Sequence, residues 1–557
     1  MANLTRRTLL MGSAASLVLI GAGTFAGRRD AALALAETRA LSVLGTTMEA
    51  ASAPVGTVGY RRLGAGPGMP TVMRTELRTA DSGRDDRRDA LAAFVQLTDL
   101  HIVDAQSPMR FESFLDVDKT AFRPQEALGT HGTAQLVRRI NDIAAGPFTG
   151  RSFDCAVTTG DNTDNGETIE LEWFLTLLNG GELRADSGAV GTWEGVQTGD
   201  DERFYRPGSA HPDAYQKVGF PIVERMLDHA MAPHASDGLA MPWYCVLGNH
   251  DDSIGGTVPA AWTALADAYT GTTKFTGFRD ERANRAVRAA FEAGTAAAPD
   301  ARAALDPQWT VTADERRAPF TPAQFMAAHL ASSAEGSGPV GHGFTTEAIA
   351  EGRSWYRFDI SDAVAGLALD STDKAGFTYG SIGDTQLTWL ESELAAASGR
   401  YVVVFSHHTS RSMTNLHSDP TTPGQKRHHG DELVEVLARH PNVIAWVNGH
   451  SHSNTITPHP GASPRHSFWE INTASHIDFP QQARVIEVCR DGRGSLSIFT
   501  TLIESAAPQQ ASYSDGSQAA LASLYRELSY NDVSYASRHA GSAGDRNTEL
   551  LLADPFV

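Results

Sequence analysis

The sequence predicts an α/β fold whose strands carry their chemistry at one edge. Three observations predict it. Apolar strand-like runs alternate with stretches of helical periodicity along most of the chain, five of those runs end in Asp, Asn or His, and two long segments interrupt the alternation without changing its order on either side. In open α/β sheets ligands gather beyond the carboxyl ends of the strands. The five polar endings are therefore candidate parts of one site.

Length and composition set the bounds. A chain of 557 residues holds one large domain with insertions, or two to three of average size. Hydrophobic content of 41% with 20% charged residues places it in the soluble globular class. The formal charge of −20 is the opposite of a basic nucleic-acid footprint, so no nucleic-acid binding is expected. Cys155, Cys245 and Cys489 each lie in an apolar run, and an odd count cannot pair completely within one chain. They read as buried core thiols.

The elements follow in order. Thr5-Arg6-Arg7-Thr8-Leu9-Leu10, then a run of small and apolar residues to Ala26 and small-x-small sites at Ala32-Leu33-Ala34 and Ala34-Leu35-Ala36, reads as a twin-arginine signal peptide over residues 1–36. It implies passage through the twin-arginine export machinery to an extracellular, cell-wall or periplasmic location. So many small residues make a poor permanent anchor, so no stable membrane span is expected after processing. Residues 37–90 form an N-terminal extension, punctuated by Gly64-Ala65-Gly66-Pro67-Gly68 and a charge-dense loop from Asp81 to Asp89.

The first core strand is Leu91 to Thr98, followed by an irregular loop through Pro124. Leu136, Val137, Ile140 and Ile143 then mark a helix, Phe153 to Thr158 a strand, and Leu171, Phe174, Leu175 and Leu178 a second helix. Residues 184–240 read as an inserted surface segment with one helix around Asp213 to Met231. The strand Trp243 to Leu247 precedes a second insertion, 254–350, with helical stretches at Ala283 to Ala298 and Ala323 to Ser332. Alternation resumes with strands Ser354 to Ile360 and Ala363 to Leu369, helix Asp384 to Ala397 and strand Arg400 to Phe405. Helix Gly430 to Arg439 and strands Val443 to Val447, Ser467 to Ile471, Arg484 to Val488 and Ser495 to Thr501 complete the domain, assigned to 91–504. Residues 505–557 read as a polar tail with one helical pattern near Ala519 to Leu528.

The strand endings carry the chemistry. They are Thr98-Asp99-Leu100-His101, Gly160-Asp161-Asn162, Gly248-Asn249-His250-Asp251, Ser406-His407-His408 and Gly449-His450-Ser451-His452. Carboxylates, imidazoles and an amide at strand ends are the donors of a hard-to-borderline metal centre, and a set without thiolate suits Mn, Fe or Zn. Strand alternation sends His407 and His408 to opposite faces, and His407 directly follows the apolar run. His417, His428, His429 and His476 are loop histidines that stand as further candidates for reaching a substrate.

In this order the motifs resemble the calcineurin-like metallophosphoesterase superfamily, over residues 90 to 480. The resemblance implies a four-layer α/β/β/α sandwich of two mixed sheets, and a centre of two divalent or trivalent metal ions. It implies Asp99, His101, Asp161 and His452 as ligands of one ion and Asp161, Asn249, His407 and His450 as ligands of the other, with Asp161 bridging. His250 matches the superfamily's non-ligand histidine that meets the substrate, and Asp251 is expected to hold its far ring nitrogen. Leu97 to Pro108 and Asn472 to Arg484 look like stretches particular to a large, exported kind of such enzyme. No Tyr stands three residues after Asp161, where purple acid phosphatases have their metal-bound tyrosine.

The implied activity is hydrolysis of small phosphomonoesters or phosphodiesters by a metal-activated water. A nucleotidase or cyclic-nucleotide phosphodiesterase is the alternative enzyme, and a non-catalytic binding protein on the same scaffold is the alternative class. The three segments 184–240, 254–350 and Thr409 to His429 all leave the scaffold at the ligand-bearing edge. They are expected to line the site and to offer side chains such as Tyr205, Arg411 and Asn415 to a leaving group.

Overall fold

The computed structural model describes residues 39–557 apart from 116–118, 260–262, 293–300, 332–335, 416 and 533–537. The predicted signal at 1–36 lies outside the described residues, as does part of the helix predicted at Ala283 to Ala298. No helix among the described residues is long and apolar enough to cross a membrane.

Two mixed sheets form the core. The first has seven strands in the order Val72–Arg74, Thr548–Ala553, Ser495–Glu504, Gln482–Arg490, Asp89–Leu97, Cys155–Thr159, Trp243–Val246. Its last three strands run parallel, and Gln482–Arg490 joins them antiparallel to Asp89–Leu97. The second sheet has six strands in the order Tyr356–Asp359, Val364–Ala368, Tyr401–Phe405, Val443–Asn448, Phe468–Asn472, Thr455–His459. Its four central strands are parallel and the outer two antiparallel.

The period of two in the second sheet explains the layering. Val403 and Phe405 belong to the large core shared with the first sheet, and Phe405 meets Phe94 across the gap with ring centroids 5.7 Å apart. Their neighbours Val402 and Val404 face the other way, onto Leu390 and Leu394 of helix Asp384–Ala396 and Leu433 and Leu437 of helix Gly430–Leu437. Helices Gly129–Ile143 and Thr168–Asn179 cover the first sheet. Fully burying one such Leu or Val contributes about 1.5–3 kcal/mol, so a one-residue slip in either sheet would forfeit a whole face. The chain thus has the four-layer α/β/β/α arrangement.

The flanking segments are built into this frame. Within the predicted tail, Thr548–Ala553 pairs with Ser495–Glu504 inside the first sheet and helix Gln518–Asn531 packs along Gly129–Ile143. Leu550, Leu551 and Leu552 are buried, so the apolar run Leu550-Leu551-Leu552 was the strand signal hidden in a polar stretch. The single helix expected around Asp213 to Met231 is instead a 3-10 turn at Gln216–Val218 and a short helix at Met226–Ala230. Gly219, at φ 105°, and Pro221 separate the two. Cys155, Cys245 and Cys489 are buried free thiols.

The second insertion is pinned to the first sheet by two histidines. His342 stacks on Trp243 at 3.7 Å, and its Nδ1 lies 2.9 Å from Nδ1 of the buried His329. Burial lowers both imidazoles, His342 to about 3 and His329 well below its ordinary value, so both are neutral when folded. The unfolded chain protonates them near pH 6.5. Their contribution is therefore complete above that pH and is lost below it by about 1.4 kcal/mol per pH unit for each ring. His329→Leu should accordingly reduce the fall in unfolding free energy between pH 7 and pH 5 by about 2 kcal/mol. Denaturant titrations of both proteins at both pH values measure it, and equal falls would disprove a neutral buried ring.

Candidate metal centre

Five turns at the carboxyl ends of parallel strands build the site. Asp89–Leu97 delivers Asp99 and His101, Cys155–Thr159 delivers Asp161, and Trp243–Val246 delivers Asn249. From the second sheet, Tyr401–Phe405 delivers His407 and Val443–Asn448 delivers His450 and His452. Asp99, His101, Asp161, His450 and His452 all have φ between 43° and 68°. This left-handed conformation costs a residue with a side chain about 1–3 kcal/mol, and tolerance of it clusters at functional sites. Gly160 permits the closest approach: its φ is 91°, and a Cβ there would stand 2.6 Å from His407 Nδ1.

All seven predicted ligands reach one cluster. Asp161 Oδ2 lies 3.6 Å from His101 Nε2 and 3.2 Å from His407 Nε2, so one carboxylate stands between two groups of donors. On one side His452 Nε2 is 3.3 Å from both Asp99 Oδ1 and His101 Nε2. On the other, Asn249 Oδ1 is 3.1 Å and His450 Nδ1 3.2 Å from His407 Nε2.

Hydrogen bonds behind the cluster set the tautomers. Nδ1–H of His101 donates to Asp164 Oδ1 (2.8 Å), that of His452 to Asp478 Oδ2 (2.6 Å), and that of His407 to the Thr159 carbonyl (2.8 Å). With Nε2 deprotonated, as a metal ligand must be, each ring would turn an Nε2 lone pair inward. Asn249 Nδ2 donates to the Gly256 carbonyl at 2.9 Å, which turns its Oδ1 inward as well. Lone pairs and carboxylates facing one another at such distances in a buried site repel unless protons or metal cations lie among them. The donor chemistry thus fits the metal pair that the resemblance implies.

Proton affinities report the same field. Burial lowers His407 and His452, but Asp161 outweighs it at the first and Asp99 with Asp478 at the second, lifting them to about 9 and about 10. At His101 and His450 burial prevails, and they fall to about 4 and about 3. Burial raises Asp161, yet His407 and His250 hold its carboxyl well below the usual range.

A buried chain of charges supports the ligands. Arg110 donates to Asp164 and makes two bonds to Glu126, at 3.1 and 2.6 Å. Glu126 also accepts from the Arg123 backbone N–H at 2.8 Å, and the Arg123 guanidinium holds Asp478 through bonds of 2.9 and 3.3 Å. His101 and His452 are thereby tied to one network. Sequence reasoning named neither Arg110, Glu126, Arg123 nor Asp478. Their signals were two arginines in the loop after His101 and an Asp inside the Asn472 to Arg484 stretch. Replacing Asp478 by Asn should weaken metal affinity about 10- to 100-fold, the usual effect of losing a partner that orients a ligand. Metal titration by calorimetry measures this, and unchanged affinity would show that His452 needs no such partner.

Some expectations need correction. Asp251 does not hold the His250 ring. His250 Nδ1–H donates to the Asp164 carbonyl at 2.5 Å, while Asp251 accepts from the backbone N–H groups of Gly248, Asn162 and Thr163 at 3.0–3.1 Å. Asp251 therefore shapes the turn that carries Asp161. His408 lies near His407 and His450, but its nitrogens face Ser371 Oγ at 2.8 Å and the Thr378 carbonyl at 3.1 Å. Among His407 and His408, only His407 points at Asp161 and Asn249.

A cavity of 510 Å³ opens over the cluster. Its walls come chiefly from the loop after His101, through Arg110, Phe111, Phe114, Thr120, Ala121 and Arg123, with Gly255, Thr257, Thr378, Ser451 and His539. Among the described residues of the three segments expected to line it, only those of 254–350 contribute. Tyr205 is buried with its hydroxyl on the Pro221 carbonyl, Asn415 bonds the Gly376 and Tyr379 carbonyls, and Arg411 lies off the cavity. None of His417, His428, His429 and His476 lines it either. His428 bonds Glu432 and Asp384 instead, and His417 stacks on Phe377 at 4.1 Å.

No protein-family model matches the chain. It is similar to the glycerophosphodiester phosphodiesterase GpdQ of Enterobacter lignolyticus (strain SCF1), at 29% identity over 101 residues, which is 18% of this chain and 35% of that protein. The chain thus spans about a third of the length of that curated relative. Among solved structures, a dimetal phosphatase from Danio rerio aligns at 10% identity with a TM-score of 0.34, over 75% of this chain and 100% of that one. The purple acid phosphatase PPD1 from yellow lupin (Lupinus luteus) seeds aligns at 10% identity with a TM-score of 0.30, over 82% and 55% respectively.

Proposed function

We infer that this chain, which has the motif order and the two-sheet architecture of the calcineurin-like metallophosphoesterases, is a metal-dependent phosphoester hydrolase. The observation that carries the reading is the Asp161 carboxylate standing between His101 and His407, with inward-facing acceptors on both sides. Asp99, His101, Asp161 and His452 would hold one cation and Asp161, Asn249, His407 and His450 the other. When bound, such a pair supplies Lewis acidity toward phosphoryl oxygens and lowers the pKa of a coordinated water.

The chain's own residues do the rest. His250 has a side chain 22% exposed, against 2% for His101 and 0% for His407, so its imidazole is open to a substrate. Its Nδ1–H is committed to the Asp164 carbonyl, which leaves Nε2 to meet the ester. Protonated there, it donates to a phosphoryl or leaving oxygen, the task of a positioned acid. Its backbone N–H donates to Asp161 Oδ1 at 2.9 Å, so the acid and the shared carboxylate keep one spacing. The phosphodiesterase activity named for the curated relative favours diesters over monoesters.

Metal analysis and a panel of mono- and diesters test this reading. The expected result is about two metal equivalents per chain, with turnover abolished by chelation and restored by Mn, Fe or Zn. A metal-loaded protein that hydrolyses no ester, or a metal-free one that does, overturns it.

The site of action is proposed to lie outside the cytoplasm. The Thr5-Arg6-Arg7 motif supports this, and precursor of the Arg6→Lys with Arg7→Lys variant should accumulate inside cells.

A further inference from the structure

We propose that the cavity selects phosphoesters whose leaving alcohol is apolar and carries an aromatic ring, with Phe111 and Phe114 as the recognising wall. This rests on the phosphohydrolase reading above and names its substrate class. A volume of 510 Å³ falls in the range of pockets that enclose a whole small molecule, so the cavity has room for a sizeable leaving group beside the phosphoryl.

Charge excludes a second anionic group there. Apart from the histidines, the cations that line the cavity among the described residues are Arg110 and Arg123. Their side chains are each only 3% exposed and are matched by Glu126, Asp164 and Asp478. A substrate with another phosphate or a carboxylate on its leaving group would face Asp164 and saturated guanidiniums.

Shape and rigidity favour a ring. Phe111 and Phe114 flank one 3-10 turn, are partly exposed, and have centroids 5.2 Å apart. Phe114 rests edge-on against Phe278 of the inserted strand Thr273–Phe278, at 5.0 Å and 88°. Between the two rings Glu112 is buried in an ion pair with Lys274 of the same strand, at 2.9 Å. Gly255 closes the back: a Cβ there would lie 2.0 Å from the Phe111 ring. The wall is therefore held in place before substrate arrives, which reduces the ordering cost of binding. The residues Thr257 and Thr378 on other walls are small and neutral. Aromatic rings gain most from such a surface by offset or edge-to-face contact. The second insertion acts here from behind, by clamping the turn.

The test compares 2-phenylethyl with ethyl and glyceryl leaving groups, alcohols that depart with similar ease, as monoesters and as methyl diesters. The metal-loaded full-length enzyme should show a kcat/KM at least about 10-fold higher for the phenylethyl ester, the scale of burying one ring. In Phe114→Ala and Phe114→Leu that ratio should fall toward one, chiefly through KM, with metal content and thermal midpoint of the Leu variant unchanged. A wild-type enzyme that treats the three esters alike, or variants that keep the preference, overturns the proposal. Absence of turnover on every ester would instead remove the phosphohydrolase reading, and this proposal with it.

Discussion

Asp161→Asn should leave a folded protein that has lost both metal ions and nearly all turnover. Asp161 is 2% exposed and its Oδ2 approaches an imidazole from each donor group. Asn preserves the volume and keeps a carbonyl oxygen for the His250 backbone N–H that now reaches Oδ1. It removes the charge and the second anionic oxygen, which are what let one residue serve two cations. Losing a partner that merely orients a ligand weakens metal binding about 10- to 100-fold, so losing a shared ligand should cost more than about 100-fold at both positions. Elemental analysis after dialysis, together with kcat on the best ester, checks it. Retention of one full metal equivalent would confine Asp161 to a single ion, and retention of two with full turnover would end the bridging assignment.

His250→Ala should separate binding of metal from chemistry. The His250 ring is held by the Asp164 carbonyl, and both Asp99 and Asp161 keep their imidazole partners without it. Metal content should therefore stay near wild type while kcat falls about 10²–10⁴-fold, the scale of a positioned acid or base. The deficit should be smaller for esters of acidic alcohols, which depart without a proton. His250 also stands near His101 and Asp161 in space, so loss of metal in this variant would make it a ligand instead.

How much of this was legible in the chain depends on the kind of signal each part leaves. The seven predicted ligands each lie within a few residues after an apolar run, because a buried parallel strand writes its own hydrophobic signature and its carboxyl end must then turn. Asp99, His101, Asp161, Asn249, His407, His450 and His452 thus stood among the candidate strand endings, the resemblance picked them out as ligands, and all of them meet at the joined edges of the two sheets. The residues missed leave only a faint local signal. Arg110 and Arg123 sit in a loop of irregular composition, and the Arg123 partner Asp478 lies more than 350 positions later. Phe111 and Phe114 look like ordinary loop aromatics until the fold sets them beside His250 and Gly255 in one cavity.

Asp251 marks the boundary between the two. Its place after His250 suggested a partnership, since neighbours in sequence are the cheapest pairing to imagine. The 3-10 turn Asn249–Asp251 instead aims successive side chains in different directions, sending Asp251 to the backbone of Asn162 and Thr163. Residue identity and strand periodicity by themselves determined the α/β fold and the polar strand endings, because both follow from short-range hydrophobic order, while the assignment of ligands among those endings came from the resemblance in motif order. The pairing of charges behind the predicted ligands and the aromatic wall were decided by tertiary structure alone. Each depends on which distant loops share a few ångströms of buried space, where the low dielectric makes every unpaired charge costly and forces a partner to be found.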